Sequence, residues 1–133
     1  MEVRQGMSSV VLTVGTGHTL REAAARMTEK GVGAAVVMDE EQPGPGIVSE
    51  RDILNSLGRG EDPDTERVAD HMSDSVISAP PDWSLERAAE EMVRLSIRHL
   101  VVVDRGELTG VLSMRDIVRC WTTAGATSSM NPP

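Results

Sequence analysis

The sequence is poor in aromatic side chains and in cysteine, and these absences limit how it can fold. It has no Phe and no Tyr, and its two Trp residues are Trp83 and Trp121. A hydrophobic core must therefore be packed from Val, Leu, Ile, Ala and the eight Met residues. Cys120 is the single cysteine, which excludes an intramolecular disulfide. The sequence also predicts no metal site, because Cys120 and the histidines show no recognisable ligand spacing. The histidines are His18, His71 and His99.

The chain also lacks the basic clusters and long apolar runs that bind nucleic acid or cross membranes. Its formal net charge is -8, and Lys30 is its only lysine. Binding to nucleic acid or to anionic lipids depends on clustered Lys and Arg, so we predict neither partner. No apolar run approaches the ~18 residues of a membrane span, and no basic segment followed by an apolar one opens the chain. We therefore expect a soluble, cytoplasmic protein.

The chain contains an internal repeat. At an offset of 65, residues 3–39 align with residues 68–104, and at an offset of 64, residues 46–54 align with 110–118. Sixteen of the 46 aligned positions are identical, which indicates a duplicated structural unit. The predicted organisation is a first repeat at 1–58, a linker at 59–67, a second repeat at 68–122 and a disordered tail at 123–133.

Each repeat has the residue pattern of a β-α-β-β-α unit. Apolar residues recur at i, i+3, i+4 and i+7 after Thr19 and after Ser84, which predicts an amphipathic helix in each copy. Thr19 with Glu22 also has the capping-box pattern. A closing helix is predicted to begin at Ser49 or Ser113. Short β-branched runs predict three strands per repeat, at 10–14, 34–39 and 47–48, and at 75–79, 99–104 and 111–112.

This order of elements predicts an α+β fold built from two pseudo-symmetric repeats. A strand, a crossover helix, a parallel strand and a hairpin form a three-stranded sheet with both helices on one face. A unit of about 50 residues with an uncovered sheet face cannot bury enough surface alone. We therefore expect the two repeats to pack sheet to sheet around a pseudo-two-fold axis.

The segment Gly-x-x-Ser-x-Arg-Asp-Ile occurs twice and has two interpretations. Its Ser-x-x-Asp portion can cap a helix, which stabilises by about 1 kcal/mol. Alternatively, two helix N-termini near a pseudo-two-fold axis would place N–H groups, hydroxyls and carboxylates around a cleft that suits a ribose phosphate. The motif arginines, Arg51 and Arg115, are interpreted as helix-surface salt-bridge partners.

The repeated motifs resemble those of the cystathionine β-synthase (CBS) domain family. In chain order they are V-x-x-x-M-S, P-x-x-S-L-x-x-A-A-x-x-M, I-R-H-L-x-V-V-D and G-h-h-S-x-R-D-I, where h is hydrophobic. The resemblance covers residues 3 to about 121 and indicates a tandem pair, called a Bateman module. It implies clefts between the repeats that bind AMP, ADP, ATP, NAD or S-adenosylmethionine for regulation, including energy sensing. It implies no required cofactor.

The resemblance also implies a ligand-binding set in each repeat. In each set an aspartate would bind ribose hydroxyls, since a carboxylate accepts two hydrogen bonds side by side. A serine would lie at the sugar or phosphate, two strand residues would flank the base, and a basic pair in the second repeat would face phosphate. The first set is Thr13, Val14, Ser49 and Asp52, and the second is Ser78, Ala79, Arg98, His99, Ser113 and Asp116.

The two sets differ at the basic pair. The residues aligned with Arg98 and His99 are Gly33 and Ala34, so we predict unequal sites, with phosphorylated ligands favoured at the second. Two other interpretations stay open: Arg98 is a surface charge paired with an acidic residue, or His99 is a hydrogen-bonded, partly buried imidazole.

The sequence favours a regulatory binding protein over an enzyme. No histidine shares a motif with Ser or Cys120, so we predict no catalytic residue. The expected protein is a stand-alone module, homodimeric, whose signal passes to an unidentified regulated protein. The alternative is a ligand-free dimerisation scaffold with an apolar stripe at Ile117, Val118 and Trp121. The competing interpretation of this stripe is that Trp121 covers the edge of the core of its own repeat.

Overall fold

The computed structural model describes residues 1–40, 44–74 and 76–123. The first half of the chain contains α1 (Val3–Gly6), β1 (Thr13–Val14), α2 (Leu20–Lys30), β2 (Ala34–Val37), β3 (Gly46–Ser49) and α3 (Glu50–Gly58). A 3-10 turn at Val68–Asp70 precedes β4 (Ser78–Ala79), α4 (Leu85–Leu95), β5 (His99–Asp104), β6 (Glu107–Ser113) and α5 (Met114–Thr123). The predicted tail begins at Thr123, which is the last residue of α5; residues 124–133 lie outside the described ranges.

Each repeat forms a three-stranded sheet, as predicted. The strand orders are β1-β2-β3 and β4-β5-β6. In both sheets the first pair of strands is parallel and the second pair is antiparallel, which confirms the α+β class and the β-α-β-β-α order. The first strands are shorter than the runs predicted at 10–14 and 75–79. Val10, for example, is 68% exposed and lies off the sheet.

The caps of α2 and α4 explain where these helices start and stop. Thr19 accepts a hydrogen bond from the amide of Glu22 and donates its own amide to the Glu22 carboxylate, which confirms the predicted capping box. Ser84 caps α4 by accepting from the amide of Arg87 at 3.0 Å. Both helices end at a left-handed residue, Gly31 or Ser96, as helix C-termini commonly do.

The buried faces of α2 and α4 are the ones that the sequence predicts. Each contributes three core residues, namely Leu20, Ala23 and Met27 in α2, and Leu85, Ala88 and Met92 in α4. On the central strand β5, Leu100 and Val102 join the core beneath the helices, while Val101 points to the opposite sheet face. Val101 is 0% exposed, so that opposite face is also shielded from solvent.

The chain packs into two compact units whose limits differ from those of the sequence repeats. The contiguous unit is Val11–Val76, and the split unit combines Met1–Val10 with the chain from Ile77 onward. In the split unit, the amide of Val3 donates to the carbonyl of Trp83 at 2.8 Å. Ser8 and Val111 exchange two backbone hydrogen bonds, so residues preceding the first repeat's sheet add a bridge to β6.

The contiguous unit contains the equivalent arrangement. The amide of Val68 donates to the carbonyl of His18 at 2.8 Å, and Ile47 exchanges two backbone hydrogen bonds with Ser73. Residues that lead into the second repeat thus extend the sheet of the first. The two repeats have therefore exchanged their leading segments, α1 and the 3-10 turn.

Most of the apolar stripe predicted on α5 packs into the core of the split unit. Ile117 is 2% exposed and belongs to that core, and Trp121 is partly buried against it. Val118, at 53% exposure, is the member that faces solvent. The interpretation of Trp121 as cover for the core edge therefore fits the structure better than an interface stripe. Among the described residues, no helix is long and apolar enough to span a membrane.

Candidate functional site

The first serine-aspartate pair lies where β3 passes into α3. Oδ2 of Asp52 accepts from the Ser49 amide at 2.8 Å and from the Ser49 hydroxyl at 3.0 Å. The Ser49 hydroxyl in turn lies 3.3 Å from the amide of Asp52, which completes a capping box. Both residues are half-buried. Within the described chain, Oδ1 of Asp52 has no protein donor, so the carboxylate retains an oxygen for another group.

The second pair has the same geometry with one addition. Oδ2 of Asp116 accepts from the Ser113 amide at 2.8 Å, and the Ser113 hydroxyl accepts from the Asp116 amide at 3.0 Å. Oδ1 of Asp116 accepts from the guanidinium of Arg119 at 2.8 Å. Arg119, at i+3 on α5, is the partner that the sequence analysis missed; its side chain is 57% exposed and can move aside.

The basic pair lies beside this second serine-aspartate pair. His99 is directly opposite Ser113 in the β5–β6 register, and the carbonyl of Arg98 accepts from the amide of Met114 at 2.9 Å. Arg98 is exposed and His99 is half-buried. The fold therefore brings four predicted residues together at one end of the β5–β6 pair: Arg98, His99, Ser113 and Asp116.

The equivalent position in the contiguous unit carries the opposite charge. The carbonyl of Gly33 accepts from the amide of Glu50 at 2.9 Å, which reproduces the Arg98–Met114 backbone contact. The Glu50 carboxylate folds over Gly33, and its Oε1 would lie 3.1 Å from a Cβ placed there. The contiguous unit thus has Glu50 where the split unit has Met114, and it has Gly33 where the split unit has Arg98.

The strand residues predicted to flank a base differ in their exposure. Thr13 and Ser78 are exposed, whereas Val14 and Ala79 are 3% and 1% exposed and belong to the two cores. Val14 and Ala79 can therefore meet a ligand only through backbone atoms. Immediately after β1, the Thr16 hydroxyl donates to Oδ2 of Asp39 at 2.6 Å, a contact across 23 residues that local spacing does not reveal.

The motif glycine in the split unit has a packing role. A Cβ at Gly110 would lie 2.7 Å from both Sδ of Met7 and the backbone oxygen of Ser8. Atoms do not approach that closely, so only glycine permits the leading segment to bond to β6. In the split unit, the motif glycine therefore serves the packing of the leading segment, while the motif serine and aspartate form the cap.

The chain is similar to proteins of one family. The CBS domain family model matches residues 2–59 and 68–122. CBS domain-containing protein YhcV of Bacillus subtilis is 35% identical over 116 residues, which cover 86% of this chain and 81% of YhcV. An uncharacterized protein of Methanopyrus kandleri is 35% identical over 111 residues, and the chain spans 57% of its length.

Solved structures with the same fold include two informative neighbours. A CBS domain protein from Pyrobaculum aerophilum, complexed with AMP, is 33% identical with a TM-score of 0.80, and the match covers 96% of this chain and 99% of that one. A hexameric CBS-CP12 protein from bloom-forming cyanobacteria is 28% identical with a TM-score of 0.84, over 89% of this chain and 69% of that one. With both repeats matched in sequence and in structure, the chain belongs to the CBS domain family as a tandem pair.

Proposed function

We propose that this chain is a regulatory module that binds an adenosine-containing ligand, with AMP or another phosphorylated nucleotide at the Arg98 set, defined as Arg98, His99, Ser113 and Asp116. The observation that carries the proposal is the backbone register of the β5–β6 pair, which places Arg98 and His99 beside the Ser113–Asp116 cap. The AMP complex of the Pyrobaculum aerophilum relative supports the ligand class. ADP, ATP, NAD and S-adenosylmethionine share the adenosyl group and are the other candidates.

Three members of the Arg98 set are expected to have distinct roles in binding. Asp116 keeps lone pairs beyond those used by Ser113 and Arg119, and a carboxylate binds a ribose diol through two charge-assisted hydrogen bonds. Arg98 is exposed and offers a planar guanidinium that suits phosphate oxygens. The Ser113 hydroxyl lies at the N-terminus of α5, where backbone N–H groups favour an anion.

The corresponding set in the contiguous unit is suited to a less anionic ligand. Ser49 and Asp52 supply the same cap and carboxylate. Glu50 replaces Met114 and Gly33 replaces Arg98, so a phosphate would meet a negative charge and no positive one. We propose that this set binds phosphorylated nucleotides much more weakly than the Arg98 set does.

Calorimetric titration with AMP, adenosine and ribose 5-phosphate tests the proposal. We expect one dominant AMP site per chain, weaker binding of adenosine and weaker binding of ribose 5-phosphate, because each analogue lacks one recognised part. At a hundred times its dissociation constant, AMP should stabilise the fold by about 2.7 kcal/mol, which thermal melting also detects.

Substitutions localise the site. Asp116→Asn keeps an acceptor for the Ser113 amide, so the cap survives while the charge is lost. We expect AMP affinity to fall about fivefold, since hydrogen bonds to charged groups exceed neutral ones by about 1 kcal/mol. Asp104→Asn, on the exposed end of β5, is the matched control. Two equal, tight AMP sites, or unchanged affinity in Asp116→Asn, would refute the assignment.

A second candidate function is a scaffold for self-association. It is favoured by exposed apolar side chains on closing helices: Leu54 and Leu57 on α3 are 67% and 48% exposed, and Val118 on α5 is 53% exposed. Exposed apolar side chains on a helix can pack against a partner protein. A homodimer is the expected assembly, and the regulated protein would be a further partner.

Light scattering at micromolar concentration tests this second candidate. A dimer that loses mass after Leu54→Glu and Val118→Glu would support it, with Val93→Glu on the exposed face of α4 as the control. A monomer for the unaltered chain would contradict it. A dimer unaffected by AMP would separate a scaffold from a ligand-responsive module.

A further inference from the structure

Two glutamates and a histidine that are separated in sequence meet on the contiguous unit. One ligand atom from each of Glu61, Glu66 and His71 lies within 4.8 Å of the others. Nε2 of His71 is 2.8 Å from Oε1 of Glu66. The His71 side chain is 7% exposed, whereas those of Glu66 and Glu61 are 29% and 35% exposed. The cluster therefore has a nearly buried nitrogen and two carboxylates that reach it from the solvent side.

The backbone holds all three residues in place. The amide of Glu61 donates to the carbonyl of Ser56, and the carbonyl of Glu66 accepts from the amide of Leu20. The amide of His71 donates to the carbonyl of Val68 in the 3-10 turn. The three side chains can therefore change conformation while the backbone stays in place. A preformed binding site requires a backbone that is fixed in this way.

A further polar group orients one of the carboxylates. The hydroxyl of Ser56, a residue only 1% exposed on α3, donates to Oε1 of Glu61 at 2.8 Å. Hydrogen-bonded carboxylates and histidines of this kind surround metal ions in proteins, because the outer contact fixes the ligand's direction. A surface ion pair between Glu66 and His71 alone would not need the Ser56–Glu61 contact.

We propose that Glu61, Glu66 and His71 form a binding site for a divalent transition-metal ion of the zinc type. Imidazole together with carboxylates favours Zn²⁺ or its neighbours over Mg²⁺ and Ca²⁺, which prefer oxygen ligands alone. Ligand atoms at about 2.0–2.2 Å from one zinc ion lie about 3.4 Å apart. Nε2 of His71 and Oε1 of Glu66, now 2.8 Å apart, would therefore move slightly apart, and the Glu61 carboxylate would adjust to the same spacing. Water completes the coordination shell.

Arg59 offers a specific test of the proposal, because its guanidinium would compete with the metal ion for the Glu61 carboxylate. Its guanidinium donates to Oε1 of Glu61 at 3.1 Å, and its side chain is 57% exposed. A cation bound by Glu61 would be repelled by this guanidinium, and it would displace the contact if it bound Oε1. Removing the guanidinium therefore strengthens metal binding, whereas it would only weaken a cluster whose role is a salt-bridge network.

Calorimetry with ZnCl₂, on protein stripped with a chelator and free of nucleotide, tests the site independently of the adenosyl ligand. We expect one Zn²⁺ per chain, affinity at least tenfold lower in Glu61→Gln and His71→Gln, and affinity several-fold higher in Arg59→Gln. Glu29→Gln, on the exposed face of α2, is the matched control and should bind like the unaltered chain.

Two further measurements separate loss of metal binding from poor folding of a variant and identify the type of metal ligand. Circular dichroism at the titration temperature establishes that Glu61→Gln is folded, and Co²⁺ absorption distinguishes nitrogen and oxygen ligands from the thiolate of Cys120. No Zn²⁺ binding by the unaltered chain, equal binding by Glu61→Gln, or weaker binding by Arg59→Gln would overturn the proposal. Competition by millimolar Mg²⁺ would also overturn it.

Discussion

The backbone carbonyl of Gly33 accepts a hydrogen bond from the amide of Glu50 at 2.9 Å, and the Glu50 carboxylate covers the face that a side chain at Gly33 would occupy. The same backbone contact in the split unit joins Arg98 to Met114. One scaffold thus presents an acid in one repeat and a base in the other. This difference, rather than a difference in fold, is the physical reason why we expect unequal nucleotide sites.

Exchanging the charged residues should create a second AMP site. The triple variant Gly33→Arg, Ala34→His, Glu50→Met gives the contiguous unit the side chains of the Arg98 set. Since the nearest atoms to a Cβ at Gly33 belong to the flexible Glu50 side chain, removing Glu50 also removes the steric conflict. Calorimetry should then show two AMP sites per chain of similar affinity. A single site, with the Glu50→Met variant behaving identically, would count against the charge argument.

Arg98→Gln should discriminate between ligands rather than weaken all of them. A charge-assisted hydrogen bond contributes about 1.5–3 kcal/mol, so AMP affinity should fall roughly 10- to 100-fold. Adenosine affinity should stay nearly constant, because Arg98 is expected to touch only phosphate. Arg87→Gln is a suitable control, since Arg87 is exposed and stacks on the Trp83 ring at 4.0 Å from its centroid. Equal losses of affinity for AMP and adenosine would contradict a contact between Arg98 and the phosphate.

Gly110→Ala should destabilise the split unit. The added Cβ would meet Met7 and the backbone of Ser8 at 2.7 Å, and relieving such overpacking costs about 1–3 kcal/mol. Trp83 and Trp121 both lie in this unit, so tryptophan fluorescence during denaturant unfolding measures the effect. Gly17→Ala, which has open space around it, should change stability little. Equal effects of the two substitutions would contradict the packing role.

Glu22 should contribute an acid-dependent part of stability. Its pKa lies below the ordinary value of 4.5, chiefly because the backbone N–H of Thr19 donates to its carboxylate. A carboxyl group whose pKa is lowered by folding stabilises the protein above pH 4.5, and this contribution disappears as the pH falls through the lower folded value. The folded pKa values of Glu61 and Glu91 are lowered too and have the same sign.

The free energy of unfolding should therefore fall less between pH 7 and pH 3 in Glu22→Gln than in the unaltered chain. Urea unfolding monitored by circular dichroism at both pH values measures this difference. Parallel pH profiles for the two proteins would show that the α2 capping box has no role in acid sensitivity.

The elements could be predicted from the sequence because their signals are local. The 3.6-residue apolar period placed α2 and α4, the β-branched runs placed the strands, and Thr19 and Glu22 marked a helix start. The Ser-x-x-Asp pairs also form the caps that their spacing predicts. Each of these depends on contacts within a few residues, which spacing encodes directly.

Apart from the local Arg119–Asp116 contact, the features that were missed depend on contacts more distant in sequence. Nothing local indicates that Ser8 bonds to Val111, that Glu50 covers Gly33, or that Glu61 and His71 share one cluster. The roles of individual site residues carried over from the family remain predictions for the same reason. Val14 and Ala79 illustrate this limit, because their positions match the motif while their side chains are buried in the cores.

The exchanged leading segments impose an order on the folding of the two units during synthesis. The contiguous unit consists of Val11–Val76, so it can close as soon as this stretch has left the ribosome. The split unit combines Met1–Val10, which precede the contiguous unit, with β6 and α5, which follow it. Val3 and Ser8 therefore lack their hydrogen-bond partners, Trp83 and Val111, until those residues have been synthesised. Folding of the half that holds the Arg98 set thereby depends on the synthesis of β6 and α5, which follow the contiguous unit in the chain.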